Sequence, residues 1–468
     1  MMSYTMSIDG KQQLGARSFG VINPATEEEF APAPACSSAQ LDAAVAAAKR
    51  AFPAWKRDEA ARRTTFRAAA ELLAAKAPEI GRTLTLEQGK PLAQAIGEVN
   101  GAATQLKNAA EMPIPKEVTR DDAKGRIEIC YRPYGVVAAI TPWNFPVTTA
   151  MSKIAPALLG GNTMVLKPSP FTPLSTLMVG TLLSQVLPKG VLNVISGGND
   201  LGAQLTAHPL VRKISFTGSV PTGKQVAQSA ASDLKRVTLE LGGNDPAIVL
   251  DDADPAQIAP QLFWSAFMNC GQICIAVKRV YAPEAIFEPL VAAIAKLARE
   301  VKVGDGMDPQ SQLGPINNAM QLERVSGLVD DARQRGATIH AGGERLPRKG
   351  YFFAPTVLTG AGDDTRVVAE EQFGPVLPLL PYRSLDDAIE RANATHYGLG
   401  ASVWSKSPER ASEVAKQIDA GTVWINQHLA LSPHAPFGGA KWSGIGDAGG
   451  RWGVEAFLQK HVINQRHG

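Results

Sequence analysis

From Gly135 onward, short apolar runs recur with intervening windows about the length of a crossover helix, and few folds accommodate that rhythm. The runs at 136–141, 163–167, 191–195, 213–216, 237–241 and 247–250 predict buried strands of a parallel sheet. A second series, at 277–281, 356–358, 376–382, 401–404 and 422–425, repeats the pattern. The expected fold class is therefore α/β: two doubly wound domains side by side, with a crevice between them. A chain of 468 residues exceeds one ordinary core, which agrees.

The first hundred residues read as largely helical. Ser37 and Gln40 form a capping box opening an Ala-rich helix that ends near Trp55. A second helix is expected over 58–76. Pro78 suits the first turn of a third, which stops at Gly89, and Pro91 starts another through about Ala110. Residues 126–131 alternate with period two, as a half-exposed strand does. No internal repeat or low-complexity segment interrupts the chain.

The composition is 45% apolar and 19% charged, with 43 Gly and 33 Pro spread along the chain. A net charge of +3 without a basic run gives nucleic-acid binding no support. No apolar run approaches the roughly 20 residues of a membrane span, and the first thirty residues hold no signal-peptide core. A cytoplasmic location is expected. Of four cysteines, Cys36 lies in an Ala/Pro loop and Cys130 in a strand-like run, while Cys270 and Cys274 lack the partners of a zinc site. No metal site is expected, and the thiols are expected to be free in a reducing compartment.

Four stretches could carry chemistry. The segment from Asn269 to Ala276 sets Cys270 and Cys274 four residues apart; Cys274 is a candidate nucleophile, or a small buried hydrophobe. Thr141-Pro142-Trp143-Asn144-Phe145-Pro146 ends the first strand of the α/β region, where such sheets bind ligands. Its stiff backbone suits Asn144 as an amide donor toward an oxyanion, or as a structural turn residue. Glu240 closes an apolar strand before two glycines, so it is ion-paired, hydrated at a cleft or raised in pKa; the last two suit a general base. The loop 369–376 adds Glu370, Glu371 and Phe373, although most such loops are merely solvated.

A strand at 213–216, a turn at 217–223 and a helix at 224–231 make a Gly-rich phosphate-type turn. It nearly matches the P-loop of nucleotide-binding kinases, but Gln225 stands where a magnesium-binding hydroxyl is needed. A G-x-G-x-x-G fingerprint is absent.

The order of these motifs is more specific than any one of them. WNFP from Trp143, VLKPS from Val165, FTGS from Phe216, ELGG from Glu240, CGQIC from Cys270, EEQFGPV from Glu370 and PFGGAKWSGIG from Pro436 together resemble the aldehyde dehydrogenase superfamily, of the NAD(P)-dependent hydrolytic type. The resemblance implies Cys274 as nucleophile, Asn144 with the Cys274 N–H as oxyanion donors, and Glu240 as the base that activates water. It implies NAD as cofactor, with NADP possible, held by Ile140, Trp143, Lys167, Gly218, Ser219, Leu241, Glu371 and Phe373. Lys153 matches a lysine used structurally near the site.

Two Rossmann-like domains are implied: residues 1–114 with 134–240 for the cofactor, and 241–440 for catalysis. An oligomerisation arm at 115–133 and 455–468, its period-two strand expected to be unpaired within the chain and so to invite another chain, would give a homodimer or homotetramer. The aldehyde tunnel is expected to be lined by Phe145, Thr148, Ser152, Met268, Ile273 and the loop 427–433, with His428 and His434 either adding polarity or serving as surface or capping residues. Small residues and the absence of Arg or Lys in that loop favour a neutral, aromatic aldehyde.

Three features depart from the family's pattern. Pro170 replaces the glutamate that often grips the ribose in NAD-preferring members, and Asp447-Ala448 replace an Arg-Glu pair. Cys270 invites a disulfide with Cys274 under oxidation, or is simply packing. The alternatives are a CoA-acylating dehydrogenase, disfavoured by Glu240, and the P-loop-like kinase, disfavoured by Gln225.

Overall fold

The computed structural model describes residues 4–467; the outermost ends of the expected ranges, residues 1–3 and 468, lie outside them. The apolar runs become strands close to the expected bounds and sort into two large sheets. The first has the spatial order Gly444–Ile445, Arg236–Glu240, Val211–Thr217, Val136–Ile140, Thr163–Lys167, Leu192–Val194, Met6–Ile8, Lys11–Gln13. Its five middle strands are parallel and its margins antiparallel. Strand order reverses between Val136–Ile140 and Val211–Thr217, so their carboxyl ends open a crevice at the switch point.

The second sheet runs Thr338–Ala341, Thr356–Thr359, Val376–Tyr382, Val277–Pro283, Asp245–Val249, Gly400–Trp404, Thr422–Ile425. All its pairs are parallel except the first. Separate apolar cores cover its two faces, one holding Tyr281 and Val325, the other Phe263, Phe267 and Trp404.

Local chemistry explains the helix bounds. The Ser37–Gln40 capping box opens Ser38–Trp55. Helix Ala77–Gln88 ends at Gly89 in the left-handed region, at φ 102°. Helix Pro146–Leu159 has proline at its first position, and the buried Glu98 carboxylate accepts from the Val147 and Thr148 N–H groups at 3.0 Å each. That carboxylate satisfies donors which a helix start otherwise leaves orphaned.

Three expectations need correcting. Met6–Ala35 is not helical but forms four strands, and the Ala/Pro stretch before Cys36 is the strand Glu28–Ala35. It pairs with Arg17–Asn23 in a two-stranded ribbon, where a strand has a free edge and proline's missing N–H is tolerated. The period-two strand is not an unpaired edge. Gly125–Pro133 lies between Lys116–Asp122 and Leu458–Arg466, so those two strands are the margins. Val462 and Ile463 remain exposed on the second. Third, the helix expected at 224 begins at Val220. Among the described residues, no helix is long and apolar enough to cross a membrane.

Candidate active site

The predicted residues gather where the carboxyl ends of the first sheet meet the amino ends of the second. From the first come Asn144, just past Val136–Ile140, and Glu240, the last residue of Arg236–Glu240. From the second come Cys274, just before Val277–Pro283, and Glu371, just before Val376–Tyr382. Direct contacts join the halves. Asn144 Nδ2 donates to the Gln272 carbonyl at 2.8 Å, and Trp143 meets Phe373 edge-on with ring centroids 5.2 Å apart.

The approach to Cys274 is strained. Asn269, Cys270 and Gly271 all have positive φ, of 51°, 58° and 69°. Consecutive left-handed residues with side chains are costly and persist only when their surroundings hold them. Here the Asn269 amide donates to the Asn144 carbonyl, and Gln272 Nε2 donates back to the Asn269 carbonyl. The turn sends Cys270 into the core beneath the sheet and leaves Cys274 beside Phe145, Met268, Leu429 and Phe437. Both thiols are free. Burial pushes each up to about 12; for Cys274 Lys278 opposes the rise, whereas Glu371, Asp245 and Glu240 add to it.

Glu240 is buried, and neither carboxylate oxygen has a hydrogen-bond partner among the described residues. Burial raises its pKa to about 8; Lys153 lowers it and Asp447 raises it. Asp447, which stands where the family's pattern has arginine, thus sets an acidic charge near Glu240. Lys153 Nζ donates to Ser215 Oγ at 3.2 Å and Thr217 Oγ1 at 2.7 Å.

A dinucleotide fits the residues around the crevice. The Lys167 ammonium is buried, and its one hydrogen-bond acceptor among the described residues is the Pro168 carbonyl, so it has donors to spare for ribose hydroxyls. Ser219 caps helix Val220–Ala231, accepting from the Thr222 N–H, and the Gly218 N–H donates to the Glu240 carbonyl. The expected 217–223 loop is therefore mostly the first helical turn, not a phosphate-wrapping P-loop, which removes the kinase reading. Leu241 packs where a Cβ on Gly223 would sit, drawing helix and strand together, and Ile140 ends its strand beside Gly202. Glu371 accepts from the Gly243 N–H at 3.2 Å and lies 3.6 Å from Lys278 Nζ. A Cβ on Gly242 would collide with its carboxylate.

Of the tunnel residues, Phe145, Met268 and Ile273 join the apolar cluster at Cys274. Thr148 and Ser152 are half-buried on helix Pro146–Leu159, where the Ser152 hydroxyl donates to the Thr149 carbonyl. His428 is a correction. Its side chain is fully enclosed, and Nε2 donates to the Ile275 carbonyl at 2.7 Å, 3.8 Å from Asp245. Burial depresses it to about 3, so it is a neutral prop for the loop that carries Cys274 rather than a polar tunnel wall. His434 is exposed.

Sequence reasoning missed Lys90, Glu98, Asn269, Gln272 and Lys278. Lys90 Nζ is enclosed, 2.5 Å from Glu98, 2.9 Å from the Asn144 carbonyl and 3.7 Å from the Phe145 ring centroid. No spacing announced that contact; the one available signal was a lysine directly after a helix-ending glycine.

Known proteins resemble the chain over nearly its whole length. The chain matches the sequence model of the Aldehyde dehydrogenase family over residues 11–463. It is 40% identical to the aldehyde dehydrogenase of Enchytraeus buchholzi over 465 residues, 97% of this chain and 93% of that one. It is 38% identical to the succinate-semialdehyde dehydrogenase (NADP(+)) GabD of Escherichia coli K12, covering 94% and 92%. The NAD+ complex of an aldehyde dehydrogenase from Bacillus cereus superposes with a TM-score of 0.97 at 36% identity, covering 99% and 96%.

Proposed function

The chain belongs to the aldehyde dehydrogenase family and is an enzyme that oxidises aldehydes with NAD(P), and from that premise we propose how its residues do so. The Cys274 thiolate attacks the aldehyde carbon; a C–S bond forms and the carbonyl π pair moves onto oxygen. Asn144 Nδ2, whose second hydrogen is free of the Gln272 bond, and the Cys274 N–H receive that oxyanion. The nicotinamide, when bound, supplies the acceptor for the hydride released as the carbonyl reforms, leaving a thioester on Cys274. Glu240 then takes a proton from water, which attacks the thioester. The C–S bond breaks, giving the carboxylic acid and the Cys274 thiolate.

Lys167 and Glu371 hold the two riboses in this reading, with Trp143 and Phe373 flanking the nicotinamide end. The observation that carries it is Glu240: a buried carboxylate with no hydrogen-bond partner among the described residues, near enough to Cys274 for its charge to act on the thiol. An acylating enzyme that passes its thioester to CoA has no use for such a base.

The apolar cluster at Cys274 contains Ile273, Ile275, Leu399 and Trp424 with Phe145, Met268, Leu429 and Phe437, and three of these eight side chains are aromatic. A neutral, aromatic aldehyde suits it. The domain division given above, the exposed margins of the three-stranded sheet as homo-oligomer contacts, and a cytoplasmic location belong to the same reading.

Absorbance at 340 nm with NAD or NADP and an aldehyde panel tests it. Wild type should reduce cofactor and favour benzaldehyde over succinate semialdehyde, and Cys274→Ala should be silent. Equal turnover by Cys274→Ala would end the mechanism, whereas the reverse substrate order would end only the substrate assignment.

A further inference from the structure

Lys278 sits at the start of strand Val277–Pro283, and its side chain folds back beneath the nucleophile loop. It is 2% exposed. Its ammonium donates to the Ile273 carbonyl at 2.9 Å and the Cys274 carbonyl at 2.6 Å, with the Ala276 carbonyl at 3.5 Å and Glu371 at 3.6 Å. A peptide unit is planar and trans, so its C=O and N–H point in opposite directions. The Ile273 carbonyl shares its peptide unit with the Cys274 N–H. Drawing that carbonyl down to Lys278 therefore turns the Cys274 N–H up, away from the lysine. Among the described residues that N–H has no acceptor.

We infer that Lys278 is a positioning residue of the oxyanion site: its ammonium fixes the direction of the Cys274 N–H and polarises it through the peptide bond. This rests on Cys274 being the nucleophile. A cation on the carbonyl oxygen draws electron density along the amide and strengthens the N–H as a donor, the same cooperativity that operates along hydrogen-bonded chains. Glu371, the proposed ribose ligand, shares the ammonium, so the cofactor-binding carboxylate and the oxyanion donor hang on one charge. The competing account is structural: Lys278 merely satisfies buried carbonyls, or favours the thiolate directly.

Two reagents applied to the cofactor-free enzyme separate these accounts. With p-nitrophenyl acetate the thiolate attacks the carbonyl carbon through an oxyanion, the C–S bond forms, and nitrophenolate leaves with the C–O bonding pair. With iodoacetamide the thiolate displaces iodide, and no oxyanion arises. The ratio of acylation to alkylation rates thus cancels the ionisation and accessibility of Cys274 and reads the oxyanion site alone. In Lys278→Met the ratio should fall about 10-fold or more, as in Asn144→Ala, while Lys278→Arg, which keeps charged donors, should stay within about 3-fold of wild type. A ratio unchanged in Lys278→Met overturns the inference. Should that variant lose both reactions, Lys278→Gln, which keeps a neutral donor, decides by the same ratio: a fall supports the inference and no change overturns it. Acylation persisting in Cys274→Ala would instead remove the nucleophile assignment beneath it.

Discussion

Lys153 and Glu240 influence each other's ionisation across the site without forming an ion pair: among the described residues the lysine's ammonium bonds to Ser215 and Thr217, and the glutamate's carboxylate has no hydrogen-bond partner. Glu240 is thereby left with a pKa of about 8, raised by burial and restrained by the Lys153 charge. A base in that state is mostly protonated at pH 7, so hydrolysis of the acyl-enzyme should rise with pH and level off above about 8. Lys153→Met removes the restraint, and the rising limb should move to higher pH. Deacylation of a preformed acyl-enzyme, followed over pH 6–10, checks both statements.

The same carboxylate costs stability. Its folded pKa is raised, so its contribution is fully present below about pH 4.5, the ordinary value, and is lost as pH rises through about 8. Glu240→Gln abolishes that loss. The variant should match wild type in thermal unfolding near pH 4.5 and exceed it by about 1–3 kcal/mol at pH 9, while deacylation fails. A variant no more stable than wild type at pH 9 would contradict this account.

Strand positions were legible because apolar runs bounded by turns carry their own signal; 163–167, 376–382 and 422–425 match the observed strands residue for residue. Cys274, Asn144 and Glu240 were legible as chemistry only through their order along the chain. Their meeting was not readable from local pattern, since the rule that ligands bind at carboxyl ends of strands holds for the first sheet alone. Cys274 and Glu371 lie at amino ends of the second, brought there by its facing the first. The lysines that orient the site were hidden for a related reason: Lys90 and Lys278 act on backbone carbonyls, and a carbonyl leaves no mark in the sequence.

Lys90 anchors the oxyanion residue through the Asn144 carbonyl while paired to Glu98, with both side chains enclosed. Removing one partner of such a pair strands the other charge. Lys90→Met should cost about 3–5 kcal/mol in denaturant unfolding. In the folded fraction, acylation and deacylation should both fall while alkylation by iodoacetamide changes little, because the first two pass through an oxyanion beside Asn144 and the third does not. Equal losses in all three reactions would place the lysine's role in stability alone.

Lys167 is held near pKa 8 by burial, with the Asp200 charge opposing. Only its ammonium form keeps two charged N–H donors for a ribose beside the one on the Pro168 carbonyl, so cofactor affinity should weaken as pH rises through about 8. Lys167→Met should raise Kd about 10- to 100-fold at pH 7, the worth of charge-assisted hydrogen bonds. With Pro170 in place of a carboxylate, nothing acidic three residues on repels a 2′-phosphate, so NADP should bind as well as NAD. Titration calorimetry with both nucleotides at pH 6.5 and 9 measures each point.

Cys270 is the cysteine that made the nucleophile loop look paired, and its environment argues against redox chemistry. It is buried in the core beneath the second sheet, away from the cluster that holds Cys274, and burial pushes its thiol up to about 12. The two thiols are pushed up alike, so enclosure makes the difference: Cys270 is 2% exposed and Cys274 half-buried, and a thiol that peroxide cannot reach reacts slowly. Cys270→Ala should therefore keep turnover within about 3-fold of wild type. Its cost should appear in stability instead, since a side chain is lost from a packed core at a left-handed residue. Mass spectrometry after peroxide should find Cys274 oxidised to sulfinic or sulfonic acid and no Cys270–Cys274 crosslink. Detecting that crosslink in folded protein would mean the strained turn opens far more readily than its hydrogen bonds to Asn144 and Gln272 imply.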